Sequence, residues 1–328
     1  MMHEYYDQDE FLLENEEYYT FDKNKLFSLF LLIIILFFIE IYNYNMINDT
    51  KVTICLCTLG KRENKYIREF VDYYRNIGVD KIILYDNNDE DDEKFEDVIS
   101  DDINFGFVEI KNYRGKNSIQ IDSINDCLKE NIKKYSWILV NDIDEFLHVK
   151  EGYLKKFLLL DRLKKCNVIH FNWRHHTDSN QLYYKNESLF KRFPEIKKRY
   201  PETVKSMIRG EKGKKYVKTG NHHVLRYNYS CCNAYGETYM ENDFINGIQI
   251  KNPDYKDYYF DHFYTKSAEE YIEKKNRGDC FFGKDKRIDL YAIEVYFAFN
   301  TITLEKIDFF ENRTGLNLSN FREKLKNE

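Results

Sequence analysis

Asp142, Asp144 and Glu145 put three carboxylates within four positions, directly after the apolar run Trp137-Ile-Leu-Val140. Acids beside a buried segment are costly unless water, a base or a cation faces them. Asp142 and Asp144 are two apart, so on a strand they share one face, and at its end they can converge on one cation. Oxygen ligands suit Mg2+ or Mn2+, ions typically held by one or two carboxylates together with a substrate's phosphates. A centre of this kind serves phosphoryl-sugar chemistry, because charge on the departing diphosphate is stabilised as the bond breaks. The competing reading is a solvated acidic turn, the usual fate of a bare D-x-D.

Histidine is scarce, with eight in the chain, yet five of them cluster as His175-His176, His222-His223 and His262. His262 lies in Tyr259-Phe-Asp-His-Phe-Tyr-Thr-Lys-Ser267, just before a predicted helix. Ser267 could N-cap that helix, and Glu270 takes the capping-box position. His262 could supply a third metal ligand, and Lys266 could meet a phosphate as a point charge. The helix start beside them favours an anion. At the other end, Arg277-Gly-Asp279 reads equally well as a capping glycine with a charged flank. None of the seven cysteines forms a C-x-x-C pair, which argues against a zinc ribbon and leaves disulfides open.

These groups need elements to carry them. Val52–Thr58 is short, apolar and β-branched, and reads as a buried strand. Ile67, Phe70, Val71 and Tyr74 recur at helical spacing, and Gly78 closes that helix. Strands follow at Lys81–Tyr85, Phe107–Ile110, Trp137–Val140 and Val168–Trp173. Helices are predicted over Ser118–Ile132 and Tyr153–Leu163. The alternation predicts an α/β fold with a mostly parallel sheet flanked by helices. Ligands of such sheets bind beyond the carboxyl ends of the strands. Three polar clusters fall there: Thr58–Arg62, Asp86–Asp89 and Asn141–Asp144. Beyond residue 174 the pattern weakens. Lys191–Arg199 reads as a solvated basic face, with strand-like pieces at Val204–Ile208, Tyr216–Lys218 and His223–Tyr227. Helices are expected at Ala268–Lys275 and Leu304–Glu311.

The whole chain is 328 residues, 43% hydrophobic and 17% aromatic with three prolines, ample for a folded core. Its net charge of −6 is concentrated at the start, where residues 1–25 hold eight acids and two bases, and the rest is balanced. A nucleic-acid binder would carry a basic excess, so that class is excluded. Leu26–Ile39 is almost wholly apolar. It is shorter than the ~20 residues of a full span. A buried core helix and a cleaved signal are the other readings of this run. The preceding polar tail, Lys23 and Lys25 before it, and Tyr42 and Tyr44 after it favour a signal anchor. The expected organisation is an acidic cytoplasmic tail (1–25), a transmembrane anchor (26–47) and a lumenal domain (48–328), single-pass type II. N-x-S/T sites at Asn48, Asn186, Asn228, Asn312 and Asn317 permit that placement.

An ordered set of segments carries a resemblance. It runs Arg62–Ile67, Asp72-Tyr-Tyr, Ile83-Leu-Tyr-Asp-Asn-Asn, Ser136–Phe146, Lys205-Ser-Met-Ile-Arg, His222-His223, His262–Tyr271 and Lys275-Asn-Arg-Gly-Asp279. This resembles glycosyltransferase family 92 and its microbial relatives over about residues 52–285. The resemblance implies a GT-A fold (Rossmann-like), a nucleotide-sugar donor with a UDP-sugar first among them, and a glycan or glycoconjugate acceptor. It also implies Mn2+ or Mg2+ at the D-x-D and, in a eukaryote, a catalytic domain facing the Golgi or ER lumen. Carried over, Asp142 and Asp144 hold the metal and diphosphate, with His262, or second His222, completing the shell. Asp86 lies near the nucleoside, and Lys266 and Arg277 meet the donor diphosphate. An inverting transfer needs a base for the acceptor hydroxyl. Asp279 is the candidate, with Glu237 and Asp178 as alternatives. Two departures stand out: the first strand runs Cys55-Leu-Cys-Thr-Leu-Gly60 where family members usually have a different short loop, and Trp173-Arg-His-His-Thr-Asp178 stands in place of a glycine- and serine-rich turn. Two other classes stay open: a non-catalytic binding protein on the same fold, and a metal-dependent phosphoesterase or nucleotidyltransferase. The last lacks a Gly-rich phosphate loop.

Overall fold

The computed structural model describes residues 23–49, 52–197, 204–210, 218–219, 224–225, 231–239, 244–245, 248–249, 255–278 and 288–327. The chain divides into two units, Met1–Thr50 and Lys51–Glu328. In the first, helix α1 (Lys23–Asp49) takes in the apolar run. Its side chains from Phe27 to Ile39 are exposed apart from the half-buried Ile34. Among the described residues no helix is long and apolar enough to cross a membrane.

The second unit opens with alternating strands and helices: β1 (Ile54–Gly60), α2 (Asn64–Asn76), β2 (Lys81–Asp86), α3 (Glu96–Asn104), β3 (Val108–Asn112), α4 (Gln120–Asn131) and β4 (Trp137–Val140). Strand β1 is buried on both faces and its residues alternate between two cores. Ile54 and Leu56 pack with Ile67, Phe70 and Tyr74 of α2. Cys55 and Cys57 pack with Cys127 and Leu128 of α4. Helix α2 ends where Gly78 takes φ +97°, with the Tyr153 ring 2.5 Å from where a Cβ would stand. Only glycine suits that turn. Two disulfides, Cys57–Cys127 and Cys166–Cys232, tie strands to distant segments.

The sheet is mixed, which corrects the mostly parallel expectation. β3, β2, β1 and β4 run parallel in that spatial order. β7 (Val204–Arg209) then lies antiparallel between β4 and β6 (Val168–His175). β5 (Glu145–Val149) follows β4 after only Asn141–Asp144. That connection is too short for a crossover helix, so β5 cannot join β4 in parallel. It pairs antiparallel with the strand Tyr258–His262, which itself lies parallel to β6. The expected helix over Tyr153–Leu163 is broken into α5 (Leu154–Leu158) and a short 3-10 turn.

α6 (Leu189–Arg192) lies between β6 and β7, and among the described residues four helices follow the last sheet strand: α7 (Ala268–Asn276), α8 (Leu290–Phe299), α9 (Leu304–Thr314) and α10 (Ser319–Asn327). The capping box at the start of α7 forms as read, with the Glu270 N–H donating to Ser267 Oγ and Glu270 accepting from the Ser267 N–H. Helices α7 to α10 share a core of Tyr271, Ile293, Tyr296, Phe310 and Phe321. Arg192 corrects the solvated-face reading of the basic run. It is buried and pairs through both guanidinium nitrogens with buried Glu270.

Candidate active site

The first two strand-end clusters meet at one edge of the sheet. Gly60 is in register with Asp86, and the Asn87 N–H donates to the Gly60 carbonyl at 2.9 Å. Lys61 Nζ lies 3.3 Å from Asp89 Oδ2. Asn141–Asp144 follows β4, which is in parallel register with β1. Asp86 is buried, and both of its oxygens are used. Oδ2 accepts from Arg114 at 2.6 Å, and Oδ1 accepts from the Asn88 N–H at 2.9 Å.

The three acids after β4 diverge. Asp142 is 39% exposed at its side chain and accepts from Lys205 Nζ at 2.7 Å. Glu145 is fully buried, 3.3 Å from the same ammonium. Asp144 turns the other way and accepts from Lys274 Nζ at 2.6 Å, with Lys266 Nζ at 3.9 Å. His262 Nε2 stands 3.7 Å from Asp144 Oδ1 and 3.9 Å from Glu145 Oε1. The group that converges is therefore Asp144, Glu145 and His262, with one ligand atom from each inside a 4.8 Å circle. The read trio was Asp142, Asp144 and His262. The structure brings the last two together and sets Asp142 against Lys205.

Strand pairing explains why Glu145 enters. It is the register partner of His262 across the antiparallel pair, and His262 is the register partner of His175 across the parallel one. Glu145, His262 and His175 thus form a row over three strands, and register partners share a sheet face.

Basic groups close over the acids from α7. Lys266 has φ +52°, a left-handed conformation that non-glycine residues rarely adopt and that recurs at functional sites. It leads into the Ser267 cap, with the Lys266 ammonium 3.6 Å from Glu63 and 3.9 Å from the Tyr66 ring centre. Arg277, at the far end of α7, pairs with Glu63 and donates to the Arg62 carbonyl at 3.0 Å. Gly278 follows with φ +84°, a C-terminal stop for α7.

The electrostatics separate the acids. Burial works against the charged form of Asp144, yet the Lys274 and Lys266 ammonium groups outweigh it and hold this carboxyl well below the usual range. Burial pushes Glu145 well above its ordinary value, Lys205 opposes, and Asp142 and Asp144 add like charge. Burial lowers the Lys266 ammonium, with Glu63 and Asp144 restoring part of it. Burial also opposes Lys274, but Asp144 raises it overall. Burial pushes His175 down to about 3 and His262 well below its ordinary value. Both imidazoles are then neutral near pH 7, the form that coordinates metal ions.

The donors fit a divalent cation. Glu145 Oε1 is buried without a hydrogen-bond partner, His262 Nε2 is the ring nitrogen that faces it, and an imidazole beside two carboxylates favours a transition metal such as Mn2+ over Mg2+. A second sulfur cluster, Cys55 with Cys57 and Cys127, offers no thiolate pair, because the last two are joined.

The base candidates fall apart from one another. Asp178 is buried and committed to the Tyr296 hydroxyl at 2.5 Å and Lys306 Nζ at 2.6 Å. Glu237 sits in the turn between the strands Cys231–Asn233 and Thr238–Tyr239, accepting from Asn233 Nδ2 at 2.8 Å. Asp279 and His222 lie outside the described residues. Reading by spacing passed over Glu145, Lys205, Lys274 and Glu63. Glu145 stood in the quoted acid run and Lys205 in the resemblance segment, but only strand pairing aims them inward.

The sequence model of glycosyltransferase family 92 matches residues 50–279. The chain belongs to glycosyltransferase family 92. This family 92 chain is 30% identical over 98 residues to a glycosyltransferase family 92 protein of Ricinus communis, covering 30% of the chain and 17% of that protein. It is 27% identical over 96 residues to one of Oryza sativa subsp. japonica, covering 29% of the chain and 16% of that protein. The match thus spans 17% and 16% of the lengths of these relatives. Among solved structures it is similar to S. aureus TarS 1-349 in complex with UDP-GlcNAc, at 14% identity and a TM-score of 0.34. That likeness covers 48% of this chain and 46% of that one.

Proposed function

We propose that the chain is a glycosyltransferase of GT-A type that moves a sugar from a nucleotide-sugar donor to a hydroxyl of a glycan or glycoconjugate. The observation that carries this is the convergence of Asp144, Glu145 and His262 beneath Lys266 and Lys274, at the carboxyl edge of the sheet in a family 92 chain. Asp144, Glu145 and His262 would hold Mn2+ or Mg2+, and the bound ion would supply neutralisation of the departing diphosphate. Lys266 and Lys274 add two ammonium groups at the same carboxylate, and Arg277 lies one turn further along α7. Diphosphate oxygens would take over these contacts as the donor settles. Asp86 with Arg114 forms a rigid wall at the β2 end, suited to orienting the nucleoside. The transfer is read as inverting, with Asp279 as the base for the acceptor hydroxyl.

A lumenal setting is part of the same reading. Two disulfides favour an oxidising compartment, and the sequon residues Asn186 and Asn317 are exposed. The anchor is proposed from the apolar run within α1 and its basic flank.

The test is product analysis with the full chain. UDP-, GDP- and CMP-sugars are offered with sugar acceptors, with and without Mn2+. Release of a nucleoside diphosphate matched by glycosylated acceptor is expected, and it is lost in Asp142→Asn/Asp144→Asn. Free phosphate would replace this reading with a phosphoesterase, and donor binding without turnover would replace it with a binding protein.

A further inference from the structure

His175 is 2% exposed, and neither ring nitrogen has a hydrogen-bond partner. A buried imidazole left unpaired is costly, so a ligand that engages it is favoured. The ring is held rather than loose. Trp173 packs edge-on at 5.5 Å between ring centres, and Phe299 packs at 4.8 Å. The His262 ring stands 4.8 Å away at an interplanar angle of 39°. None of these neighbours brings a polar atom within hydrogen-bond distance of either ring nitrogen. Lys197 lies over the Phe299 face at 4.0 Å, where its charge opposes protonation of His175, and its backbone N–H donates to the His175 carbonyl at 3.0 Å.

The row over three strands gives this orphan a direction. Glu145, His262 and His175 are consecutive register partners, so their side chains rise from one sheet face at neighbouring strand positions. Two members of that row belong to the converging group with Asp144. We infer that His175 is a further ligand of the cation site, making a set of two imidazoles and two carboxylates. The inference rests on the cation reading of the proposed function, and it adds a consequence. Two imidazoles shift preference from Mg2+ toward transition metals.

The probe is Co2+, whose visible bands report ligand type, with Mn2+ and Mg2+ titrated calorimetrically against the full chain. His175→Phe keeps a planar ring between Trp173 and Phe299. It is expected to weaken Co2+ and Mn2+ binding about 10- to 100-fold, the scale on which ligand shells act, to change the Co2+ spectrum, and to leave Mg2+ binding much less affected. If His175→Phe misfolds, His175→Gln is read in the same way. An unchanged spectrum and affinity in a folded His175 variant, with binding lost in His262→Ala, overturns the inference and leaves the cation reading standing. A wild-type chain that binds none of the three ions overturns both.

Discussion

Lys205 serves two carboxylates at once, its Nζ lying 2.7 Å from Asp142 Oδ2 and 3.3 Å from Glu145 Oε2. The ammonium is itself buried. Removing it leaves Glu145 with no counter-charge in a dry site. Lys205→Met is expected to destabilise the fold by about 3–5 kcal/mol, the usual cost of breaking a buried pair from one side. Adding Glu145→Gln should return part of that loss, since the stranded charge is gone. Denaturant titration of the two single variants and the double variant measures the coupling. Strict additivity would mean that the pair does not interact.

Asp144→Asn tests the opposite branch. On the proposed reading, in which this carboxylate serves charge stabilisation of the leaving group, transfer should fall by on the order of 100-fold or more. The substitution also leaves Lys274 and Lys266 facing a neutral amide, so stability should drop by up to ~3 kcal/mol. Asp142→Asn, at a half-exposed position, should cost under ~1 kcal/mol. Initial rates and thermal melts on both variants separate the effects. Wild-type turnover in Asp144→Asn at matched stability would sink the site assignment.

The disulfides should be worth measuring separately from the site. Cys57–Cys127 spans 70 residues and Cys166–Cys232 spans 66. Loop-closure entropy puts each at about 4 kcal/mol. Reduction, or Cys57→Ser/Cys127→Ser, is expected to lower the melting temperature by several degrees. A melt indifferent to reductant would show that these bonds are not formed in the protein.

Acid stability should carry the signature of Glu270. Burial acts to raise this carboxyl, but Arg192, Ser267 and Tyr66 outweigh it, so its value in the fold lies below the ordinary one. Below about pH 4.5 the unfolded chain then takes up more protons than the fold, and stability falls as pH falls. Above that window the contribution is fully present. Glu270→Gln should be clearly less stable at pH 7, because Arg192 loses its partner, and the gap should narrow as pH drops below 4.5. A gap that stays constant from pH 7 to 3 would rule out this linkage.

Much of the scaffold was legible in local pattern. The β1 to β4 run, the apolar stripe of α2 and the Ser267–Glu270 capping box all follow from spacing within about ten residues, and each forms near its expected limits. The edge where polar clusters gather was legible too, because parallel βα units leave their strand ends together. The strand Glu145–Val149 was not. No element is predicted there, and only pairing with Tyr258–His262, more than a hundred positions away, makes it a strand.

The sequence by itself determined part of the candidate site: acids after an apolar strand, a histidine and a lysine before a capped helix, and the order in which they occur. Tertiary structure decided which of them meet. Asp142 and Asp144 are chemically alike and two apart, yet one turns to Lys205 and the other to Lys274 and His262. Glu145 and His175 join His262 because strand register, a long-range property, sets them side by side. Side-chain chemistry is encoded one residue at a time, but a binding site is a set of distances, and those depend on hydrogen-bonded pairings between segments far apart in the chain.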